Sequence, residues 1–475
     1  MKIYAKLLVV AFILAIFSVG AVAASENVTL DSSELTQVPH EQVVSVSEPT
    51  VPEVETTNQE TSANDINNEI SVSSDNNCTD SYQKGSLRQV KKQESLLGAT
   101  NGEDILRANR TITPAGTTFN DIRLAIESAS EGDIIDLGGK TYNGTKAENL
   151  KTNKKITIQN GTIDGVLVKD QYDMGFTGVT LKNIHFTNFH YQKRNYARIV
   201  TFIDSTLENV KFSNSSNDVQ AGMFSLLLRV NAKNVVYDNI FSGTSVAGIR
   251  YSNLTNVNFT NSGVTDSRKE TDVGQFTVMT ESRLDNCYFI NTSSKQHSGA
   301  ICLGRGENTV LNSKFINCTA WVGGAIYAHG DFEENKKHTI ENCEFINCHA
   351  EEEGGALGLS HNNMDVKNCT FINNTATKGA GIMVGGINYP TAIHGDNSHG
   401  HNITVEDCYF ENNVASVEGG AVHISGDNNT IIKSEFYNNE APEGGAVHIT
   451  GDNAAAIDSI FDDNFAHGEK VLQFM

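Results

Sequence analysis

Leu284-Asp285-Asn286-Cys287-Tyr288-Phe289-Ile290-Asn291 is one copy of a unit that recurs down the chain. Leu311 to Asn317, Ile340 to Asn347, Val366 to Asn373, Val405 to Asn412 and Ile432 to Asn438 repeat it. Degenerate copies centre on Phe186, Phe212, Phe259 and Phe461. The usual interval is about 26 residues, within the range of solenoid repeats. Inside the unit an aliphatic residue, a small residue and Phe alternate with polar ones, and a period of two means strand. One such strand cannot bury its apolar side alone. Stacking equivalent strands about 4.8 Å apart pairs every backbone group and piles Phe on Phe. This predicts an inward stack of Phe289, Phe315, Phe345, Phe371, Phe410 and Phe436. Beyond each Phe come Gly-Gly-Ala turns that open a second strand, at Gly323, Gly354, Gly419 and Gly444. Two strand signals and a weaker third per repeat predict an all-β chain, a right-handed, single-stranded parallel β-helix of about a dozen coils.

The regions around the repeats read differently. Lys2 and Lys6, the apolar run Leu7 to Phe17 and Ala21-Val22-Ala23 have the form of a cleaved export leader, residues 1–24. Residues 25–112 are rich in Ser, Thr, Glu and Asn without period. They cannot bury enough apolar surface to offset chain entropy, so a disordered stalk is expected, with a short helix conceivable only over Leu96 to Leu106. The β-helix is expected over 113–475, entered through a cap at 117–144. Phe119, Ile122, Ala125, Ile126 and Ala129 share one helical face there, and Thr118 with Asp121 signals the N-cap. Asp133 to Leu137 and Thr141 to Gly144 then read as strand, Gly138 to Lys140 as turn, and Asp331–Lys337 and Ile387–His401 as inserted loops. At the other end Val471 and Leu472 sit where a Gly-Gly-Ala strand would, and the chain stops at Met475. An open coil edge of that kind predicts a piece of a longer surface protein, or self-association through this edge.

The Gly-Gly-Ala-Ile at Gly323 paired with Phe-Ile-Asn-Asn at Phe371 resembles the repeat of chlamydial polymorphic membrane proteins. With the helix-plus-strand entry from Phe119 to Gly144, the chain from Thr117 onward resembles the adhesin-like right-handed β-helix proteins of methanogenic archaea. That resemblance implies a pectate-lyase-like solenoid at a cell surface. The Phe-x-x-Asn form holds at Phe371/Asn374, Phe410/Asn413, Phe436/Asn439 and Phe461/Asn464, whereas Cys318 and Cys348 stand in its place after Phe315 and Phe345.

Composition narrows the functions. A formal net charge of −22 opposes nucleic-acid binding and docking on anionic lipid. High Gly and Asn with only 6 Pro suits short strands joined by turns that accept positive φ. Asn291, Asn317, Asn347, Asn373, Asn412 and Asn438, preceded by Asn188, Asn214 and Asn261, lie just past each Phe. Their amides are expected to form a structural ladder, the functional alternative being a row of glycan-binding groups. Sequons at Asn143, Asn160 and Asn253 fit glycosylation and turn chemistry equally. Cys287, Cys343, Cys369 and Cys408 share a register filled elsewhere by Ser313, Ile184 and Val210, which marks a small inward packing site; Cys318 and Cys348 could meet at disulfide range.

Glu351, Glu352, Glu353, Glu418 and Glu443 precede Gly-Gly turns, and Gly-Asp-Asn recurs at Gly395, Gly426 and Gly451. Stacked carboxylates repel, so solvent screens them or Ca²⁺ bridges them; screening is expected, and with it no cofactor. His423 and His448 match in adjacent strands and read as a surface pair that needs no metal. The carboxylates recur coil after coil, unlike a catalytic pair set at one cleft. Arg194, Arg198, Arg229, Arg250 and Arg305 are scattered, apart from Lys193-Arg194 beside Tyr191 and Tyr196, which reads as a surface loop. The expected function is a non-enzymatic, extracellular adhesin-like protein that binds surface glycans or proteins of a host or neighbouring cell. A polysaccharide lyase or glycoside hydrolase on the same fold is the alternative.

Overall fold

Left-handed residues, two or three in most coils, shape the molecule. Asn286 and Asn291 both have φ 55°, and Asn312 with Asn317, Asn342 with Asn347 and Asn368 with Asn373 occupy the same corners one coil further on each time. Asn enters this conformation at lower cost than other side chains. Each corner ends one short strand and starts the next. A coil therefore runs as three pieces, for example Thr309–Leu311, Lys314–Ile316 and Thr319–Ala320, before a Gly-Gly turn delivers a fourth, Ile326–Ala328. The sequence count of two strands and a weaker third falls one short, because the third piece is two residues long and too brief to show a period.

The computed structural model describes residues 109–468 apart from 145–149, 166, 169–173, 192–197, 218–221, 266–274, 330–335 and 387–399. The leader, the stalk up to 108 with Leu96–Leu106, Lys193, Arg194, Tyr196, Gly395, Val471, Leu472 and most of the two inserted loops lie outside the described residues. Within them, the first three pieces of each coil join a sheet of 31 strands, and the fourth pieces form a second sheet of 12 strands, one for each of about twelve coils. The pairings between coils are parallel and in register, as in Phe289↔Phe315, Phe315↔Phe345 and Phe345↔Phe371.

That register builds the core. Phe186, Phe212, Tyr237, Phe259, Phe289, Phe315, Phe345, Phe371, Phe410, Phe436 and Phe461 form one stack, with ring centroids 4.6 to 5.1 Å apart. Tyr237 is a member that the Phe spacing does not announce. It keeps the stack continuous, and its hydroxyl accepts a hydrogen bond from Ser225 at 3.3 Å. The spacing is that of neighbouring strands.

A helix, Phe119–Ser128, lies at the entry. Thr118 caps it reciprocally with Asp121, and Phe119, Ile122, Ala125 and Ile126 are buried. Lys154 closes its other end, the ammonium donating to the carbonyls of Ile126, Glu127 and Ala129 at 2.9, 2.8 and 2.7 Å, where the helix dipole favours a cation. One boundary needs correction. Thr111–Ile112, placed in the polar stalk by composition, is a strand that pairs with Ile134–Ile135 and belongs to the solenoid. At the far end Ile457, Ile460, Phe461 and Phe465 are exposed on the last described coil.

Two stability measurements test this packing. Phe345→Ala removes a fully buried ring held between two others and should cost about 3–5 kcal/mol in denaturant unfolding. Phe461→Ala, at a ring 48% exposed, should cost under about 1 kcal/mol; equal losses would refute the stack. Lys433 holds φ 51° at a corner that Asn fills in other coils, so Lys433→Asn should stabilise by about 1 kcal/mol.

Candidate functional site: a carboxylate and two histidines beside the second sheet

Most polar columns of the solenoid bond to themselves. At the outer corner Nδ2 of Asn291 donates to Asn261 at 3.0 Å, Asn317 to Asn291 at 2.9 Å and Asn347 to Asn317 at 3.3 Å. Asn373, Asn412 and Asn438 hold the equivalent corners, with φ 56°, 56° and 52°. A second outer column runs in the same way through Asn312, Asn342 and Asn368. A third lies inside the barrel. Nδ2 of Asn413 donates to the Phe371 carbonyl at 3.0 Å while its Oδ1 accepts from the Asn374 backbone N–H at 3.1 Å, and Asn439 and Asn464 continue the pattern. These amides serve groups that the corners take out of the strand ladder.

Six cysteines occupy inward positions that follow a corner. Cys287, Cys318, Cys343, Cys348, Cys369 and Cys408 are buried and free. Cys318 and Cys348 are free thiols close to one another, and the Cys348 thiol also donates to the Phe315 carbonyl at 3.6 Å. Burial pushes the Cys287 thiol up to about 12 and the Cys348 thiol well above its ordinary range, which makes both poor nucleophiles.

Chemically varied side chains converge elsewhere, where the Gly-Gly turn meets the second sheet. Glu418 ends the strand Val414–Glu418. Gly419 then turns the chain at φ 65°, and a Cβ on Gly420 would lie 1.9 Å from the Gly445 carbonyl of the next coil. This glycine pair permits a turn tight enough to bring Glu418 and His423 to one side. His423 stands between Val422 and Ile424, both in the core, so its imidazole points outward. His448 is its counterpart in the next coil, and Lys378, Glu418 and Glu443 are counterparts of one another.

The distances are short. Glu418 Oε2 lies 2.8 Å from Lys378 Nζ, 3.4 Å from His423 Nδ1 and 3.8 Å from His448 Nδ1. The two Nδ1 atoms are 3.2 Å apart, and Glu443 Oε2 is 3.8 Å from His448 Nε2. Two expectations change. His423 is 3% exposed and so no surface group, because the turn segment packs over the outward face of its strand. The acidic column is no uninterrupted carboxylate stack, since Lys378 stands between Glu353 and Glu418 and bonds the latter, while Glu418 and Glu443 remain direct neighbours. Glu351 and Glu352 are exposed and Glu353 is buried. Aligning the repeats on the glycine that follows, as in Lys378-Gly379, Glu418-Gly419 and Glu443-Gly444, places Lys378 in the column.

The environment fixes the charges. Desolvation holds His423 down at about 4, against the opposing pull of Glu418, with smaller lowering contributions from His448 and Lys378. Glu418 is held below the usual carboxylate range: burial acts to raise it, but the Lys378 hydrogen bond and nearby positive charge together prevail. Further up the same sheet face His297 packs against Trp321 and Tyr327, with ring centroids 6.0 and 5.3 Å away, and desolvation followed by His329 lowers it to about 3. At neutral pH the cluster thus holds neutral imidazole beside ionised carboxylate and ammonium. Such a set can bind a cation or move a proton. Of the scattered arginines, Arg229 pairs with Asp204 at 2.6 Å and Arg198 starts a strand; Tyr191 is buried.

Residues 273–466 match the family described as right handed beta helix region. The described residues form a right-handed parallel β-helix. No curated protein matches the sequence. Similar solved structures include a PL6 alginate lyase in complex with a trisaccharide, at 13% identity over 76% of this chain and 86% of that one, with a TM-score of 0.44. The A-module of the Azotobacter vinelandii mannuronan C-5 epimerase AlgE6 has 9% identity over 71% and 94%, with a TM-score of 0.40. PfbA, a surface adhesin of Streptococcus pneumoniae, has 11% identity over 72% and 89%, with a TM-score of 0.28. These likenesses concern the coiled architecture alone.

The buried histidines make stability depend on pH. His423 and His297 have folded values below the usual imidazole value of 6.5, so the unfolded chain binds protons that the fold refuses. Their contribution is complete above about pH 6.5 and is lost as pH falls toward 4. The urea midpoint should therefore drop between pH 7 and 5, before carboxylates titrate, and His423→Gln should flatten that drop. An unchanged slope would show that His423 is not held neutral by burial.

Proposed function

We propose that the chain is an exported cell-surface protein that adheres to a glycan or protein partner of a host or neighbouring cell through the outer side of its first sheet. The observation that carries this reading is a column of isoleucines. Ile290, Ile316, Ile346 and Ile372 are direct neighbours on successive strands, half-buried on the side that faces away from the core. Beside them run lengthwise ion pairs such as Lys314–Glu344 at 2.9 Å. An apolar stripe roughly 15 Å long at strand spacing, rimmed by charge, has the make-up of an interaction surface. The leader-like segment at Lys2 to Ala23 supports export, and the acidity favours solubility over membrane docking. Among the described residues no helix is long and apolar enough to cross a membrane.

The convergence of Lys378, Glu418, Glu443, His423 and His448 favours a second reading, a carbohydrate-active enzyme with proton-transfer groups at that point. Glycan and cell-surface arrays probed with the whole chain separate the two. Binding should fall at least tenfold in the double variant Ile316→Asp, Ile346→Asp with its circular dichroism unchanged. Full retention of binding in that variant would end the adhesive-stripe reading. Cleavage of alginate or pectin that vanishes in Glu418→Gln would establish the enzyme.

A further inference from the structure

We propose that Glu418, His423 and His448 bind a divalent transition-metal ion of the zinc class and so clamp two adjacent coils together. Such a site works whether or not the chain adheres to a partner. Its three donor atoms, two imidazole nitrogens and a carboxylate oxygen, lie within 4.8 Å of one another. The edges of the triangle are 3.2, 3.4 and 3.8 Å. A point about 2.0 Å from all three exists at its centre, and zinc takes nitrogen at about 2.0–2.1 Å and carboxylate oxygen at about 2.0–2.2 Å. An ion raised slightly from that plane keeps a fourth position for water, an arrangement of three protein ligands known for zinc.

The neighbouring groups suit the role. Two Nδ1 atoms 3.2 Å apart face each other, and their lone pairs repel unless a proton or a metal ion lies between them. A proton serves one pair, whereas a divalent ion serves both and the carboxylate as well. Glu443 Oε2 lies 3.8 Å from His448 Nε2, so its negative charge stands on the side of the ring away from Nδ1, the atom that faces the other two donors. Lys378 anchors Glu418 by its hydrogen bond. Lys378, Glu418 and Glu443 together carry one net negative charge, so a divalent ion meets an attractive field. Two nitrogens and one oxygen select zinc, copper or nickel over Ca²⁺ and Mg²⁺, which demand more oxygen ligands. Glu418 and His423 come from one coil and His448 from the next, each next to or within a strand of the stack, so the triangle is held by the fold rather than by a loose loop.

Titration of the chelator-stripped full chain with Zn²⁺, followed by calorimetry, should show a site near one equivalent. Co²⁺ should give the visible absorption of a low-coordinate N/O site. Glu418→Gln and His448→Ala should each weaken Zn²⁺ at least tenfold and abolish the zinc-dependent rise in melting temperature. His349→Ala, an exposed histidine on the first sheet, should leave both unchanged. Circular dichroism checks each variant, and Glu418→Gln suffices should His448→Ala unfold. Zinc binding that persists at full strength in folded Glu418→Gln and His448→Ala proteins, or no binding to the parent chain below millimolar zinc, overturns the proposal.

Discussion

In-register parallel pairing sets each side chain against its counterparts one coil before and one coil after, at the distance between two strands. Whatever stands at a position must therefore tolerate its own kind at about 5 Å. Aromatic rings do, and they stack from Phe186 to Phe461. Amides do, because each can donate to one neighbour while accepting from the other, as Asn317 does between Asn291 and Asn347. Carboxylates do not, and the solenoid interleaves opposite charges along its length, as with Lys182–Glu208, Lys314–Glu344 and Lys378–Glu418.

The corners are the second consequence. A coil must bend several times, and each bend withdraws backbone groups from the regular ladder. Left-handed residues, mostly Asn, make the bends, and in the later coils the residue that follows often points inward and repairs the loss. Ser313 accepts from the backbone N–H of Cys287 at 3.1 Å, and Asn374 accepts from that of Cys348 at 2.8 Å. In the first sheet from Cys287 onward, Ser, Thr, Cys and Asn fill most of these inward positions, each small and able to donate or accept a hydrogen bond, whereas Ile184, Val210, Val235 and Val257 fill them with apolar packing in the earlier coils. The cysteines thus read as members of a hydrogen-bonding class rather than as metal ligands or disulfide partners.

These rules explain which parts of the structure were legible in sequence. The recurrence of Phe289 and its equivalents, each at alternate positions with a small residue and an aliphatic one, was enough to orient the strands, because period two and the repeat interval act together. The Gly-Gly turns were legible because little room is left for a side chain there, as at Gly419 and Gly420, although Ser298 and Ala380 hold equivalent places in two other coils. The strand Thr319–Ala320 was hidden by its brevity, and Tyr237 by a search for Phe. His423 looked exposed because strand alternation places it outward; its burial arises from the turn packed over it, which no local pattern encodes. Lys378 was invisible as part of the site because the acidic residues, and not the glycine beside them, set the alignment.

The candidate site lies where the like-on-like rule breaks down. In the column through Val278, Cys302, Tyr327, Gly358, Met383, His423 and His448 the residue type changes at nearly every coil, in contrast to the uniform Phe and Asn columns. A position with no demand other than packing would drift among apolar residues, as its first members do. Two consecutive imidazoles, one nearly buried and kept neutral at a cost in solvation, are not explained by packing. Nor does the adjoining column follow simple charge alternation, since Glu418 and Glu443 are consecutive after Lys378. Both departures occur in the same two coils and on the same side of the turn. A single divalent cation would compensate both at once, by neutralising the extra carboxylate and filling the gap between the facing nitrogens, which is why the pair of coils from Glu418 to His448 is read as a site and not as one more piece of scaffold.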